Sequence, residues 1–315
     1  MSTPQTLADV GEFGTIARLV ERFPSTDAVV VGPGDDAALV RVGDSGVLVS
    51  TDVLVDGRHF RRDWAEARDI GRRAAAQSLS DLNAMGGTTT AVVVAVTAPA
   101  DLPVEWLLEL CSGLADECAE VGAAVVGGDL TRADVLTLSV TAIGSLAGAA
   151  PVLRSGARAG DVVAIRGRQG WAAAGLAVLQ RGFRSPRAVV EAYRRPAVPY
   201  GAGAEALAAG ATALIDVSDG LVADVRHVAE ASGVAIDLHS AAFEVAEPLR
   251  AVGAALGVDP LQFVLDGGDD HPVVATFPSQ EQVPDGWRVV GTVTEGDGVT
   301  VDGAEHEGAG GWRHF

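Results

Sequence analysis

Apolar positions along this chain follow two periods, one typical of helices and one typical of strands. In the first half, apolar residues spaced three and four apart predict helices over Gly11–Phe23, Arg68–Met85 and Leu102–Val121. Short runs of apolar or β-branched residues predict strands over Ala28–Val31, Ala37–Val42, Gly46–Ser50, Thr88–Thr97, Ala123–Val126 and Val135–Ile143.

The second half alternates in the same way. Strands are predicted over Val162–Arg166 and Ala213–Val217, and helices over Trp171–Leu179, near Glu205 and over Leu221–Ser232. Between the halves, the segment GAAPVLRSGARAGD is rich in Gly, Ala, Pro and Arg, which favours a boundary between domains 1–148 and 149–315. Strands that alternate with helices indicate the α/β or α+β class.

The net charge of the chain excludes some classes of binding partner, and the types of its basic residues exclude some classes of chemistry. The 42 acidic and 23 basic residues give a net charge of −19, which argues against partners such as nucleic acid or an anionic membrane. Every basic residue is Arg, so chemistry that needs a lysine ammonium, such as a Schiff base or a P-loop, is excluded.

No segment resembles a signal peptide or a membrane span, and Cys111 and Cys118 are spaced like core thiols of a reducing compartment. A cytoplasmic protein is therefore expected.

Aspartates recur at predicted strand ends and in glycine turns, namely at Asp35, Asp36, Asp52, Asp81, Asp129, Asp216, Asp219, Asp269 and Asp270. Each alone is an ordinary turn or cap residue. Asp81 differs, because helical spacing puts it on the predicted buried face with Ile70, Ala74 and Ser78. Carboxylates converging from several strand ends would repel one another without a hard cation, so the pattern predicts several Mg²⁺ ions beside a phosphate ligand.

The segment Gly32–Ala37 fits the dinucleotide-binding pattern GxGxxA. However, Asp35 and Asp36 would stand where a pyrophosphate belongs, and the following AALVRV predicts a strand rather than a helix. A dinucleotide-binding fold is therefore not favoured.

The ordered motifs GEFGTIARL, GPGDDAAL, STDVLVDGRHF, SLSDLNAMGG, VGGDLTR, RSGARAGD, DVSDGLVADVRHV, GGDD and GWRHF resemble the thiamine-monophosphate kinase family along nearly the whole chain. The resemblance implies a two-domain fold like that of aminoimidazole ribonucleotide synthetase, with N-terminal strands forming a barrel across a homodimer. It implies a kinase that uses ATP and Mg²⁺ to convert thiamine monophosphate to thiamine diphosphate, the final step of that biosynthesis. Domain 1–148 would bind metal and ATP and dimerise, and domain 149–315 would complete the ATP and substrate site.

Positions that match the family motifs carry the family's expected roles. The expected Mg²⁺ ligands are Asp36, Ser50, Thr51, Asp52, Asp81, Asp129, Asp216 and Asp219. The expected ATP contacts are Gly128, Asp129, Arg154 and Ser218, and the expected substrate contacts are His59, Asp269 and Trp312. No side chain is expected to act as a covalent or general-base catalyst, because a phosphate oxygen of the acceptor is already ionised near neutral pH and direct in-line transfer suffices.

One segment departs from the family. Where the family usually reads GGEDYE, this chain reads GGDDHP from Gly267 to Pro272, which makes the acceptor pocket the least similar part.

Three alternatives remain open: another enzyme of the same fold, a Mg²⁺-dependent phosphohydrolase, and a non-catalytic sensor of nucleotide or thiamine phosphate. Among enzymes of the fold, selenophosphate synthetase would need a reactive Cys or selenocysteine in an N-terminal glycine loop, and the hydrogenase-maturation dehydratase would end in Cys; neither feature is present here.

Overall fold

The computed structural model describes residues 5–10, 15, 18–31, 39–41, 47–306, 308 and 311. The chain divides into two compact units: unit 1 is Met1–Leu82 with Gly87–Ala149, and unit 2 is Asn83–Gly86 with Ala150–Phe315. Helix α1 spans Leu7–Val10. The helix predicted over 11–23 lies only partly within the described residues, of which 15 and 18–20 are helical.

Unit 1 is built on a four-stranded sheet in the order β3-β6-β4-β5. Its elements are β1 (Val29–Val31), β2 (Leu39–Val40), β3 (Leu48–Val55), α2 (Ala67–Ala84), β4 (Thr88–Ala98), α3 (Val104–Glu120), β5 (Ala124–Arg132) and β6 (Thr137–Ser145). Strand β6 is antiparallel to both β3 and β4, and β5 is parallel to β4. The sheet is open, and β1 and β2 form a separate antiparallel pair.

Strand β5 runs further than the sequence predicts. The predicted strand stops before Gly127-Gly128, yet the ladder with β4 continues to Arg132. Gly128 allows this, because a Cβ there would lie 1.8 Å from the carbonyl oxygen of Val94. A pair of glycines usually indicates a turn, but here Gly128 lets two strand backbones approach closely.

Helices α2 and α3 pack backbone to backbone. A Cβ at Gly71 would lie 1.9 Å from the Leu110 carbonyl oxygen, and one at Gly113 would lie 2.0 Å from that of Arg68. The rim of this contact is ionic, since Arg72 Nε lies 2.9 Å from Glu117. Cys111 and Cys118 are buried free thiols on α3, and burial raises the pKa of each to about 12, so both are core thiols as predicted.

Unit 2 contains a seven-stranded sheet in the order β13-β12-β9-β11-β7-β10-β8. Its elements are β7 (Val162–Arg166), α4 (Trp171–Gln180), α5 (Arg187–Arg194), α6 (Ala202–Ala208), β8 (Ala213–Asp216), α7 (Leu221–Ser232), β9 (Ala235–Leu238), α8 (Glu247–Leu256), α9 (Leu261–Asp266), β10 (Val273–Phe277), β11 (Arg288–Thr294), β12 (Gly298–Val301) and β13 (Ala304–Glu305). Short 3₁₀ turns span Arg154–Gly156, Ser240–Ala242 and Gln280–Gln282.

Strands β7, β8 and β10 of this sheet are buried on both faces. Val163, Ile165 and Ile215 pack on one side with residues of α7, while Ala164, Leu214 and Phe277 pack on the other with residues of α6. Double burial explains why β7, β8 and β10 read as continuous apolar runs in the sequence. None of the helices in the described ranges has the length and apolar character needed to cross a bilayer.

Candidate active site

In unit 1, the contact between β3 and α2, here called the seam, contains three predicted metal ligands: Ser50, Asp52 and Asp81. Ser50 and Asp52 lie two residues apart on β3, so they share the sheet face that packs against α2. Ser50 Oγ donates a hydrogen bond to Asp81, and Ser78 Oγ lies 2.8 Å from Asp52 Oδ2. Ser78 and Asp81 are three residues apart and share one face of α2. That face therefore contacts Asp52 through Ser78 and carries the carboxylate of Asp81 as well.

The helix face that carries Asp81 is the one predicted from the sequence. Ile70, Ala74 and Ser78 are all buried, and Asp81 is partly buried at the same face. Serine hydroxyl groups satisfy both carboxylates in this structure, so the cost of placing them against a helix is met by hydrogen bonds.

The register of the sheet puts Asp129 elsewhere. Asp52, Val140, Val94 and Gly128 are aligned across the four strands and share one face. Asp129 is aligned with Ala95 and faces the opposite side, three strands or about 14 Å from Asp52 at the usual strand spacing. Thr51 also points to that opposite side, where its hydroxyl group lies 3.0 Å from that of Thr141.

His59 belongs to the loop that follows β3. Its Nδ1 accepts a hydrogen bond of 3.0 Å from the backbone N–H of Val55, which fixes the ring and leaves Nε2 as the protonated nitrogen of the neutral form. The same loop borders a cavity of about 610 Å³. Arg61 and Arg62 line this cavity, and each forms an ion pair within unit 1, with Asp63 and Asp56 respectively, at 2.8 and 2.7 Å.

In unit 2, the segments DVSDG and GGDDH pair with each other. His271 N–H donates to Val217 O at 3.2 Å, Val217 N–H donates to Pro272 O at 3.0 Å, and Asp269 N–H donates to Ser218 O at 2.9 Å. Gly268 is required here, because a Cβ would lie 2.1 Å from Ser218 O. Asp216, at the end of β8, is buried and lies 3.1 Å from Nδ1 of buried His271.

Asp224 shapes the turn that carries Asp219. Its Oδ2 accepts hydrogen bonds of 3.0 Å from the backbone N–H groups of both Asp219 and Gly220, at the start of α7. Burial raises the pKa of the Asp224 carboxyl to about 7, although these bonds act in the opposite direction. Ser218, the neighbouring predicted ATP contact, is exposed.

Asp269 and Asp270 are adjacent but have different environments. Asp269 is partly exposed and has a φ of +66°. Asp270 is buried, and both of its oxygens lie 3.1 Å from the backbone N of Ala172 in the first turn of α4. Burial raises the pKa of the Asp270 carboxyl to about 7, opposed by these bonds and by the nearby Arg168 cation. Asp270 is thus a cap of α4, contributed by a distant segment.

Arg154 lies exposed in the 3₁₀ turn Arg154–Gly156 of unit 2. Asp36 and Trp312 lie outside the described residues. Within the described ranges, no three His, Cys, Asp or Glu side chains are close enough together to hold a metal ion. The convergence of carboxylates from several strand ends that the sequence predicts is therefore not found among the described residues of a single chain. Asp129 faces the opposite side of the sheet from Asp52, and Asp36 lies outside those residues.

The structural roles of four residues near the predicted ones were not predicted from the sequence: Ser78, Asp224, Asp270 and His271. For Asp224 a signal existed, since a carboxylate four residues after a glycine at a helix start can reach back to backbone N–H groups, much as in a capping box. For Asp270 and His271 no local signal existed, because their partners are Ala172 and Asp216, far away in the chain.

Comparison with known proteins identifies the domain family to which the first half of the chain is similar. Residues 34–146 match the family described as AIR synthase related protein, N-terminal domain. This match and the mixed α/β fold of both units agree with the fold class predicted from the sequence.

Full-length relatives are more specific. The chain is 49% identical over 312 residues to thiamine-monophosphate kinase of Mycobacterium tuberculosis, covering 98% of this chain and 93% of that protein. It is 39% identical over 321 residues to the enzyme of the same name from Corynebacterium glutamicum, covering 98% and 95%. The solved structure of AaThiL complexed with AMPPCP and TMP aligns over 100% of both chains with a TM-score of 0.79 and 31% identity. The chain belongs to the thiamine-monophosphate kinase family.

Proposed function

We propose that this chain transfers the γ-phosphoryl group of ATP to thiamine monophosphate, forming thiamine diphosphate and ADP. The observation that supports this most is the end-to-end alignment with AaThiL, a protein solved with AMPPCP and TMP bound. AMPPCP is an ATP analogue, so that complex holds counterparts of both substrates. The relatives named thiamine-monophosphate kinase cover nearly the whole chain, including both units.

Several Mg²⁺ ions are proposed as the metal, held between them by Asp36, Ser50, Thr51, Asp52, Asp81, Asp129, Asp216 and Asp219. The donor set supports a hard cation, because every one of these side chains offers oxygen only. At the seam between β3 and α2, Asp52 and Asp81 each lie within hydrogen-bonding distance of a serine hydroxyl group, which supports a shared oxygen-rich site. When bound, Mg²⁺ would neutralise the charge of the phosphate groups.

The residues of this chain would act by binding and orientation. A terminal phosphate oxygen of thiamine monophosphate attacks the γ-phosphorus of ATP, the bond to the β-phosphate oxygen breaks, and ADP leaves. Since the attacking oxygen is already ionised, no base has to remove a proton. The carboxylates of Asp81 and Asp52 are held by Ser50 and Ser78, and their fixed orientations would reduce the reorganisation needed in the transition state.

The two substrates are proposed to use different residues. Gly128, Asp129, Arg154 and Ser218 would contact ATP, and Asp129, Arg154 and Ser218 are all exposed to solvent. His59, Asp269 and Trp312 would contact thiamine monophosphate. Asp269 suits this role because its carboxylate can accept a hydrogen bond from the aminopyrimidine ring, and the paired DVSDG and GGDDH segments hold its backbone.

A homodimer is proposed, with the four-stranded sheets of two copies forming a shared barrel. Within the described residues, β3 and β5 are the outer strands of the open sheet. Its face opposite α2 exposes Val49 and Val53 of β3, which are 63% and 50% accessible. Exposed apolar residues on an outer strand, together with open strand edges, favour association through a second copy of the sheet. Domain 1–148 would then carry dimerisation as well as part of the ATP and metal site.

The proposed function is tested by incubating the full chain with ATP, Mg²⁺ and thiamine monophosphate and separating the thiamine phosphates by chromatography. Formation of thiamine diphosphate that depends on all three components supports the proposal. ADP formation that is unchanged when thiamine monophosphate is omitted would identify a phosphohydrolase instead. Binding of thiamine monophosphate without any turnover would indicate a sensor.

A further inference from the structure

His271 stands where this family usually has tyrosine, next to a proposed metal ligand. Its imidazole ring is 2% exposed, and the Asp216 side chain is 5% exposed. The distance between His271 Nδ1 and Asp216 Oδ2 is 3.1 Å. An ionised carboxylate can only accept hydrogen bonds, so the proton lies on Nδ1 and the ring donates it to Asp216.

The backbone holds this ring in place from two sides. His271 N–H donates to Val217 O at 3.2 Å, and β10 aligns Val273 with Asp216 in the antiparallel ladder. The φ of His271 is +52°, a left-handed conformation in which histidine is more common than most residues. The donor therefore lies just before β10 and the acceptor at the end of the neighbouring strand β8, and the hydrogen bond restricts rotation of the Asp216 carboxylate.

We infer that His271 is a positioning residue, whose hydrogen bond to Oδ2 of Asp216 would hold this carboxylate in the orientation in which it ligates Mg²⁺. This inference rests on the proposed function, in which Asp216 is a metal ligand. Hydrogen-bond partners that orient a ligating side chain typically change metal affinity or activity by about 10- to 100-fold when they are removed. The usual tyrosine carries its one polar atom at the far end of its ring, so this device belongs to the GGDDHP form of the segment.

A matched pair of variants tests the inference in the full-length chain. His271→Asn keeps a donor near the position of Nδ1 and tolerates a positive φ, while His271→Leu has a similar branched shape without a donor. Binding of Mn²⁺, used in place of Mg²⁺, is measured by electron paramagnetic resonance in the presence of AMPPCP. We expect His271→Leu to weaken Mn²⁺ binding by about 10-fold or more and His271→Asn to stay within about 3-fold of the parent chain.

Kinetics give a second readout. The Mg²⁺ concentration for half-maximal rate should rise in His271→Leu by a similar factor, while the KM for thiamine monophosphate stays unchanged. If His271→Leu lowers only the melting temperature and binds Mn²⁺ like the parent, the pair is structural and the inference is wrong. If His271→Asn binds Mn²⁺ as weakly as His271→Leu, the donor is not what matters, and the inference is also wrong.

Asp216→Asn separates failure of this inference from failure of the metal assignment. If Asp216→Asn weakens Mn²⁺ binding and His271→Leu does not, only the role of His271 is refuted. If Asp216→Asn leaves Mn²⁺ binding unchanged, Asp216 is no ligand, and the metal assignment fails together with the inference. Weakening in both Asp216→Asn and His271→Leu, with recovery in His271→Asn, supports both.

Discussion

Asp270 carries a carboxyl group that is only 1% exposed, and burial raises its pKa to about 7 from the ordinary value of 3.8. Between pH 3.8 and about pH 7, Asp270 keeps its proton in the folded protein and releases it in the unfolded chain. Stability from this group is therefore fully present at low pH and is lost as the pH rises towards 7. Integrated over pH 5 to 7.5, the loss amounts to about 2 to 3 kcal/mol of unfolding free energy.

Asp270→Asn removes the titration while keeping a carbonyl oxygen for the Ala172 N–H group. Urea denaturation of both proteins, followed by circular dichroism from pH 5 to 8 with a chelator present, gives the two stability curves. Other titrating groups contribute equally to both, so the difference between the curves reports Asp270. We expect the variant to gain stability relative to the parent as the pH rises.

Asp285→Asn, in an exposed turn of the same unit, is the matched control, because it removes the same charge without burial. Its stability curve should run parallel to that of the parent. If the Asp270→Asn curve is also parallel to the parent, the carboxyl does not hold a proton in the folded state and the reasoning from burial is refuted.

Three further predictions concern the proposed site and assembly. Asp52→Asn and Asp81→Asn should each lower kcat by about 100-fold or more at saturating Mg²⁺, since lost metal neutralisation is worth several kcal/mol; near-normal turnover in both would refute their role. Asp269→Ala and Trp312→Ala should each raise the KM for thiamine monophosphate by about 10-fold and leave that for ATP nearly unchanged; an unchanged KM for the acceptor would place its pocket elsewhere. Val49→Asp should convert a dimer to monomers in sedimentation experiments, whereas Phe183→Asp, at an equally exposed apolar residue of unit 2, should not; a Val49→Asp dimer would argue against the barrel.

Much of the fold could be predicted because its elements are locally consistent. The strand Val162–Arg166 and the helix Leu221–Ser232 have the bounds that the apolar pattern predicts. Glycine follows the strand and flanks the helix at both ends. The strand buries a continuous apolar run, and the helix buries one apolar face. The end of β5 was missed because the glycine pair at 127–128 resembles a turn, and only the parallel neighbour β4 explains why the strand continues.

The candidate site was predictable only in part, for a physical reason. Residue type and spacing identify the aspartates, and helical periodicity places Asp81 on the buried face of α2. The side of the sheet on which Asp129 lies depends on the register of three strand pairs, and no local sequence pattern specifies that register. The partners of Asp216 and Asp270 are 55 and 98 residues away in the chain, so only tertiary folding brings them together.

The most direct test of the proposed kinase follows the γ-phosphoryl group itself. The chain is incubated with γ-³²P-labelled ATP and Mg²⁺, with and without thiamine monophosphate, and the label is located in protein, inorganic phosphate and thiamine diphosphate. Direct transfer predicts one labelled thiamine diphosphate for each ADP formed and no labelled protein in the absence of acceptor. Label found only in inorganic phosphate, or first on the protein and then on the acceptor, would contradict direct transfer between the two substrates.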